Sequence, residues 1–197
     1  MSYESGELQL FFGPMRSGKS TKLLRIEMHH TILGHSKAKL FIPFISSVRK
    51  DAIRCMVSLT PIYVGTIAKD NMVTISEEEL LEMLKYDVIL IDEGQFIDNI
   101  VEIVMALLDK NKTIHIAGLS GDSNGNLMGK MHLLIPHANK AKIITGHCDL
   151  CVEENGNKNS KSVYSIKVDP GEEIINVNGV FKSSCRAHAK KYIKSLQ

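Results

Sequence analysis

The chain has no apolar run long enough to cross a bilayer, which takes roughly 20 consecutive residues in a helix. It also has no block of like charge. A formal net charge of +2, spread along the chain, argues against a protein built to coat nucleic acid. Met1 to Glu7 is polar and acidic where a secretory leader would be basic and then apolar, so no signal peptide is expected. No internal repeat is present. Cysteine is scarce, at Cys55, Cys148, Cys151 and Cys185, and without a secretory signal a disulfide framework is not expected. These absences predict a soluble, cytoplasmic protein with no membrane partner. What is present is ordinary: 44% hydrophobic and 23% charged residues over 197 positions suffice for one medium domain, or one domain with a small appendage.

Near the N-terminus the apolar run Leu8-Gln9-Leu10-Phe11-Phe12 leads into Gly13-Pro14-Met15-Arg16-Ser17-Gly18-Lys19-Ser20, and a helix-like segment follows. Strand, glycine-bounded loop, Lys-Ser and helix in that order form the P-loop arrangement. Consecutive backbone N–H groups and the positive end of the helix dipole suit the β- and γ-phosphates of a nucleotide. Lys19 adds a mobile point charge, and the Ser20 hydroxyl can ligate Mg²⁺.

Further along, Thr21 to Leu33 carries Leu23, Leu24, Ile26 and Met28 at helical spacing, with Gly34 as a stop. Lys39 to Ile42 reads as a strand broken by Pro43, and Ile62 to Val64 and Met72 to Ile75 as short strands. Ser76, followed by Glu77, Glu78 and Glu79, caps a helix running to about Lys85. Asp87 to Asp92 is a continuous apolar strand ending in a carboxylate, as in a buried parallel sheet. Asp98 is the expected cap of a helix through Leu108, with Ile100, Val101, Val104, Leu107 and Leu108 on one face, and Thr113 to Ala117 is another buried strand. The alternation predicts an α/β, doubly wound, mostly parallel sheet. Ligands of such sheets lie beyond the carboxyl ends of the strands, where Gly13, Asp92 and Gly118 emerge. Gly118 to Lys130 is expected to be a mobile loop. Composition shifts near Thr145, so the predicted domains are a P-loop domain over 1–145 and a metal-stapled one over 146–197.

Asp92-Glu93 stands where a P-loop protein needs its second phosphate-site motif: Asp92 to hold Mg²⁺, and the next carboxylate to take a proton from the attacking hydroxyl or water. Cys148-x-x-Cys151 and Cys185-x-x-His188 form two ligand pairs, and Cys₃His suits tetrahedral Zn²⁺ with no open position, a structural site. His147 is a competing nitrogen read as a surface residue. His29, His30, His35, His115, His132 and His137 are assigned to the surface or to satisfied packing. The bland alternatives are a chance turn at 13–20, a solvated strand end at Asp92-Glu93, and unrelated thiols beside a surface histidine.

Gly-Pro-Met-x-Ser-Gly-Lys-Ser, then Ile-Asp-Glu-Gly-Gln-Phe at 91–96, a Gly-Leu loop, Cys-x-x-Cys and Cys-Arg-x-His resemble, in order and spacing, the type II thymidine kinase family over nearly the whole chain. The resemblance implies a P-loop α/β domain with a zinc-held lasso domain, usually in a homotetramer. It implies transfer of the ATP γ-phosphoryl group to the 5′-hydroxyl of thymidine, giving dTMP in nucleotide salvage. On it, Glu93 resembles the general base, Lys19 the phosphate clamp, Ser20 with Asp92 the Mg²⁺ site, and Arg49 an arginine near the phosphates. Met15, Phe96 and Leu119 match positions that shape the nucleoside pocket. The lasso backbone around Glu172, Glu173, Ile174, Ile175, Asn176 and Val177 matches the segment that hydrogen-bonds the base.

The chain departs from that pattern in several places. Ser46-Ser47 replaces Lys-Asp before the arginine, and Ser123 and Met128 stand where the family has aromatic rings. Phe181 keeps the ring of a family tyrosine without its hydroxyl, Asn176-Val177 replaces Gly-Gly, and Arg16 fills a position usually small or aromatic. A lost stacking ring costs a pyrimidine about 0.5–1.5 kcal/mol beyond area, which redirects substrate choice rather than abolishing phosphoryl transfer. The leading expectation is a thymidine-directed deoxynucleoside kinase. A P-loop kinase for another nucleoside and a catalytically weakened nucleotide-binding regulatory protein are the alternatives. For the C-terminal part, Lys190, Lys191 and Lys194 allow a nucleic-acid-binding ribbon or a solvated basic helix end, and no nucleic-acid partner is expected.

Overall fold

A computed structural model describes residues 5–34, 36–44, 61–67, 72–168 and 180–193. Arg49, Ser46-Ser47, Cys55, His35, Lys194 and the 172–177 segment lie outside the described residues. The chain divides into two compact units, one comprising Met1–Phe11, Ser20–Gly118 and Gly129–Lys142, the other Phe12–Lys19, Leu119–Met128 and Ile143–Gln197.

In the first unit, β1 (Glu7–Gly13, whose last two residues belong to the second unit) precedes α1 (Lys19–Leu33), β2 (Ala38–Pro43) and β3 (Ile62–Val64). Then come β4 (Thr66–Ile67), β5 (Val73–Thr74), α2 (Glu77–Met83), β6 (Val88–Ile91), α3 (Ile100–Leu108), β7 (Thr113–Leu119) and β8 (Lys140–Ile143). Among the described residues the central sheet is six-stranded, in the order β3-β2-β6-β7-β1-β8. β2 pairs parallel with β3 and β6, and β6 parallel with β7, so the expected α/β, mostly parallel sheet is observed. All four residues of β6 are buried, and Ile89, Leu90 and Ile91 are fully so, because a parallel strand covered on both faces has no solvent side.

Several local expectations change. Pro43 does not break its strand. It is the last residue of β2, pairs with Val64, and lies past the end of the β2–β6 ladder at Phe41–Ile91, where its missing N–H removes no bond on that side. Beyond Lys19, the buried positions of α1 are Leu23, Leu24 and Glu27, not Met28, which is 42% exposed. Glu27 is tolerated there because its Oε1 accepts the Leu40 N–H at 3.0 Å, while burial raises its pKa. Ser76 does cap α2, completing a capping box with Glu79. Asp98 does not cap α3; it pairs with Lys130 at 2.9 Å, and the N-cap is Asn99. The Asn99 side chain bonds the backbone of Ile75 through both its oxygen and its nitrogen. The buried face of α3 is Ile100, Ile103, Val104 and Leu107, so Ile103 takes the place expected of Val101 and Leu108.

The second unit pairs β9 (Gly146–His147) with β10 (Lys161–Ser162), and β11 (Tyr164–Lys167) with β12 (Phe181–Ser184), both antiparallel. Two short helices, α4 (Asp149–Asn155) and α5 (Arg186–Ala189), pack with them. Their core is small: Cys148, Leu150, Cys151, Ile166, Ala189 and Ile193. The expected basic terminal helix is cut short, since α5 ends at Ala189 and Lys190 is already its C-cap. Between Leu119 and Met128, Asp122 accepts the N–H groups of Asn124 and Asn126 at 2.9 and 2.8 Å and closes a turn.

Two histidines are not satisfied as expected. His115 on β7 is buried and stacked on Phe11, and its Nδ1 is buried with no hydrogen-bond partner among the described residues, as is that of His132. Burial, helped by nearby His30 and Lys22, depresses the His115 imidazole from its ordinary 6.5 to about 4. The folded protein therefore keeps His115 neutral at a pH where the unfolded chain takes up a proton. The stability this supports is complete above pH 6.5 and falls as the pH drops towards 4. Between pH 7 and 4 the unfolding free energy of the wild type, from urea titrations, should fall by on the order of 3 kcal/mol more than that of His115→Phe. Parallel slopes would reject the assignment.

Candidate functional site

The 13–20 loop belongs to the second unit up to Lys19. Gly13 is buried, and a Cβ there would meet the Ile144 carbonyl oxygen at 2.2 Å, so glycine is required by close approach. Arg16 (φ 57°) and Gly18 (φ 88°) are left-handed, and a backbone of this kind turns successive N–H groups into an anion-binding nest. Lys19 is 7% exposed, with Nζ donating to the Pro14 carbonyl at 2.7 Å. The Ser17 hydroxyl is buried with no hydrogen-bond partner among the described residues, a polar atom that a bound phosphate would satisfy. Ser20 lies in the first turn of α1, which begins at Lys19, two residues before the expected Thr21.

In the first unit, β6 delivers Asp92 and Glu93 at its carboxyl end. Asp92 is 2% exposed, and its Oδ1 accepts the Glu93 N–H at 3.0 Å. Glu93 is half-buried and left-handed at φ 54°, a conformation that costs a non-glycine residue about 1–3 kcal/mol and is found mostly at working sites. Gln95, fully buried, donates from Nε2 to Glu93 Oε2 at 2.6 Å and fixes that carboxylate. A Cβ at Gly118 would meet Gln95 Oε1 at 2.7 Å, and one at Gly129 (φ 62°) its carbonyl oxygen at 2.0 Å. The sequence reading missed Gln95. It lies inside the 91–96 motif, but nothing in its spacing shows which carboxylate it holds. Phe96, half-buried, closes the same short turn, Gly94–Phe96.

Among the expected nucleoside contacts, Met15, Leu119, Ser123, Met128 and Phe181 all lie in the second unit and are half-buried. Phe96 belongs to the first unit. The Met15 N–H donates to Ser165 Oγ at 2.8 Å, and its carbonyl accepts from Ser183 Oγ.

Cys148, Cys151, Cys185 and His188 do converge, with all four ligand atoms within 4.8 Å of one another. Cys148 and Cys185 are the N-caps of α4 and α5, so each pair spans one helical turn and faces one way. The three sulfurs lie 3.4–3.5 Å from His188 Nδ1, and Cys151 and Cys185 are 3.9 Å apart. Tetrahedral Zn²⁺, with bonds of about 2.3 Å to sulfur and 2.0 Å to nitrogen, has edges of about 3.5 and 3.8 Å, so the donor set fits that ion. Burial opposes ionisation of Cys148, but backbone N–H groups of Cys185 and Cys151 and the His188 ring bring the thiol down to about 7. His188 Nε2 bonds Glu154 Oε2 at 2.9 Å, an orienting partner absent from the ligand spacing. His147 bonds the Lys158 carbonyl instead and takes no part.

The family model described as thymidine kinase matches residues 6–189. Thymidine kinase a of Arabidopsis thaliana is 30% identical, over 93% of this chain and 75% of its own length. The thymidine kinase of Pseudothermotoga lettingae is 30% identical, over 92% of this chain and 94% of its own. The human cytosolic thymidine kinase is 29% identical, over 92% and 72%.

The cluster should carry one Zn²⁺ per chain by plasma mass spectrometry. The metal should be lost in His188→Ala and retained in His147→Ala. Chelation should lower the melting temperature by roughly 10 °C or more, because a metal held there would be coupled to the folding of a unit with so small a core. Full metal content in His188→Ala would reject the ligand set.

Proposed function

The chain belongs to the thymidine kinase family, and from that premise we propose that it transfers the γ-phosphoryl group of ATP to the 5′-hydroxyl of thymidine, giving dTMP. The observation that carries the reading is Glu93, a carboxylate held by the Gln95 amide at the end of a buried strand and backed by Asp92. Glu93 accepts the 5′-hydroxyl proton as that oxygen attacks the γ-phosphorus. The bond from the γ-phosphorus to the β,γ-bridging oxygen breaks, and ADP leaves. The loop N–H groups, Ser17 and Lys19 bind the phosphates, and Arg49 offsets charge on the group in flight. Ser20 and Asp92 would hold Mg²⁺, which when bound neutralises charge on the β- and γ-oxygens. Orientation contributes much of the rate, and general-base catalysis by Glu93 about 10²–10⁴-fold.

On the same reading, Met15, Phe96, Leu119, Ser123, Met128, Phe181 and the backbone of Glu172, Glu173, Ile174, Ile175 and Asn176 shape the nucleoside pocket. The Cys₃His cluster holds structural zinc. The enzyme works as a cytoplasmic homotetramer in nucleotide salvage, without nucleic-acid or membrane partners. A second reading, a nucleotide-binding regulator with weakened catalysis, draws on Ser123 and Met128 replacing the family's aromatic rings and on Ser47 replacing a carboxylate.

ADP release from Mg·ATP with thymidine, deoxyuridine, deoxycytidine or no acceptor separates these readings. Thymidine should give the highest kcat/KM, and Glu93→Gln should lower kcat by about 10²-fold or more. Turnover only with another nucleoside moves the substrate and keeps the mechanism. Nucleotide binding without acceptor-dependent turnover leaves the regulator standing.

A further inference from the structure

Arg16 poses a physical problem inside the phosphate loop. It is neither glycine nor asparagine, yet it holds φ at 57°. The left-handed region puts Cβ against the following carbonyl oxygen, and such residues persist only when their surroundings over-determine them. Within the second unit four contacts do so. The Met15 N–H donates to Ser165 Oγ at 2.8 Å, and the Met15 carbonyl, part of the peptide that joins it to Arg16, accepts from Ser183 Oγ. The Arg16 guanidinium donates from Nη1 to Asp149 Oδ2 at 3.0 Å. The same carboxylate oxygen accepts the Ser183 N–H at 2.8 Å, which ties the last two anchors together.

We propose that Asp149, Ser165 and Ser183 are positioning residues for nucleotide binding. They clamp Met15 and hold Arg16 left-handed, so that the nest of N–H groups meets the phosphates already formed. This rests on the reading of the chain as an ATP-dependent kinase. Asp149 and Ser183 flank metal ligands in sequence, Asp149 following Cys148 and Ser183 two residues before Cys185. The Arg16–Asp149 pair alone is partly exposed, with side chains 67% and 24% accessible, and contributes little as an ion pair. Its effect comes from the shared oxygen, because losing Asp149 releases both Arg16 and the Ser183 strand.

The test is Mg·ATP binding by calorimetry on the full-length protein, for wild type, Asp149→Asn and Ser183→Ala. Each substitution is also made in an Arg16→Gly background, where glycine takes positive φ without being held. Metal content and melting temperature are recorded for each variant. Asp149→Asn and Ser183→Ala should weaken binding roughly three- to tenfold, and KM for ATP should rise while kcat changes less. In the Arg16→Gly background the same substitutions should cost less than half as much on a logarithmic scale. Binding unchanged from wild type, or an equal loss in both backgrounds, overturns the proposal. If Asp149→Asn loses its metal or does not fold, the Ser183→Ala pair decides alone. A wild-type protein that binds no Mg·ATP would instead sink the kinase reading on which the proposal rests.

Discussion

Besides Asn111, two non-glycine residues among those described are held on backbone that L-amino acids avoid, Arg16 at φ 57° and Glu93 at φ 54°. Neither conformation is stable by itself, and each is surrounded by hydrogen bonds that leave it no alternative. For Glu93 these are the Asp92 carboxylate on its N–H and the Gln95 amide on its side chain. Gln95 in turn is slotted where Gly118 and Gly129 leave room for nothing larger than hydrogen. For Arg16 they are two serines on the preceding residue and a carboxylate on the guanidinium. Strain sits where chemistry is expected, and the ordinary parts of each unit keep it there.

The second unit holds its conformation with little apolar material. Its core has two cysteines among six buried residues, and those thiols belong to the Cys₃His cluster that could hold a metal ion. A core of that size does not offset the entropy of ordering two hairpins and two short helices. A metal ion held by the Cys₃His cluster would supply the missing stabilisation, and Glu154 bonds the histidine from outside that cluster.

Much of the first unit was legible in the residues themselves. β6 reads as buried because its apolar run is unbroken, and α2 starts where Ser76 and Glu79 allow a capping box. The misreadings have one source. Asp98 and Asn99 are both good caps, and Met28 is a better core residue than Glu27, but partners distant in sequence reversed each preference: Lys130 for Asp98, the Ile75 backbone for Asn99, the Leu40 N–H for Glu27. Propensity is a local quantity and cannot register a hydrogen-bonding partner supplied from elsewhere in the chain.

By itself the sequence determined the glycine-bounded phosphate loop, the carboxylates at the end of β6, the two spaced ligand pairs and membership of the thymidine kinase family. Each is a matter of residue type at short spacing, and short spacing within one turn or one strand end survives translation into structure. Tertiary structure alone decided that the four ligands meet, that Gln95 holds Glu93, and that Asp149, Ser165 and Ser183 clamp the loop at Met15 and Arg16. Those contacts join positions far apart along the chain, apart from the Glu93–Gln95 pair. Their geometry is set by strand register and helix packing, which no local pattern encodes.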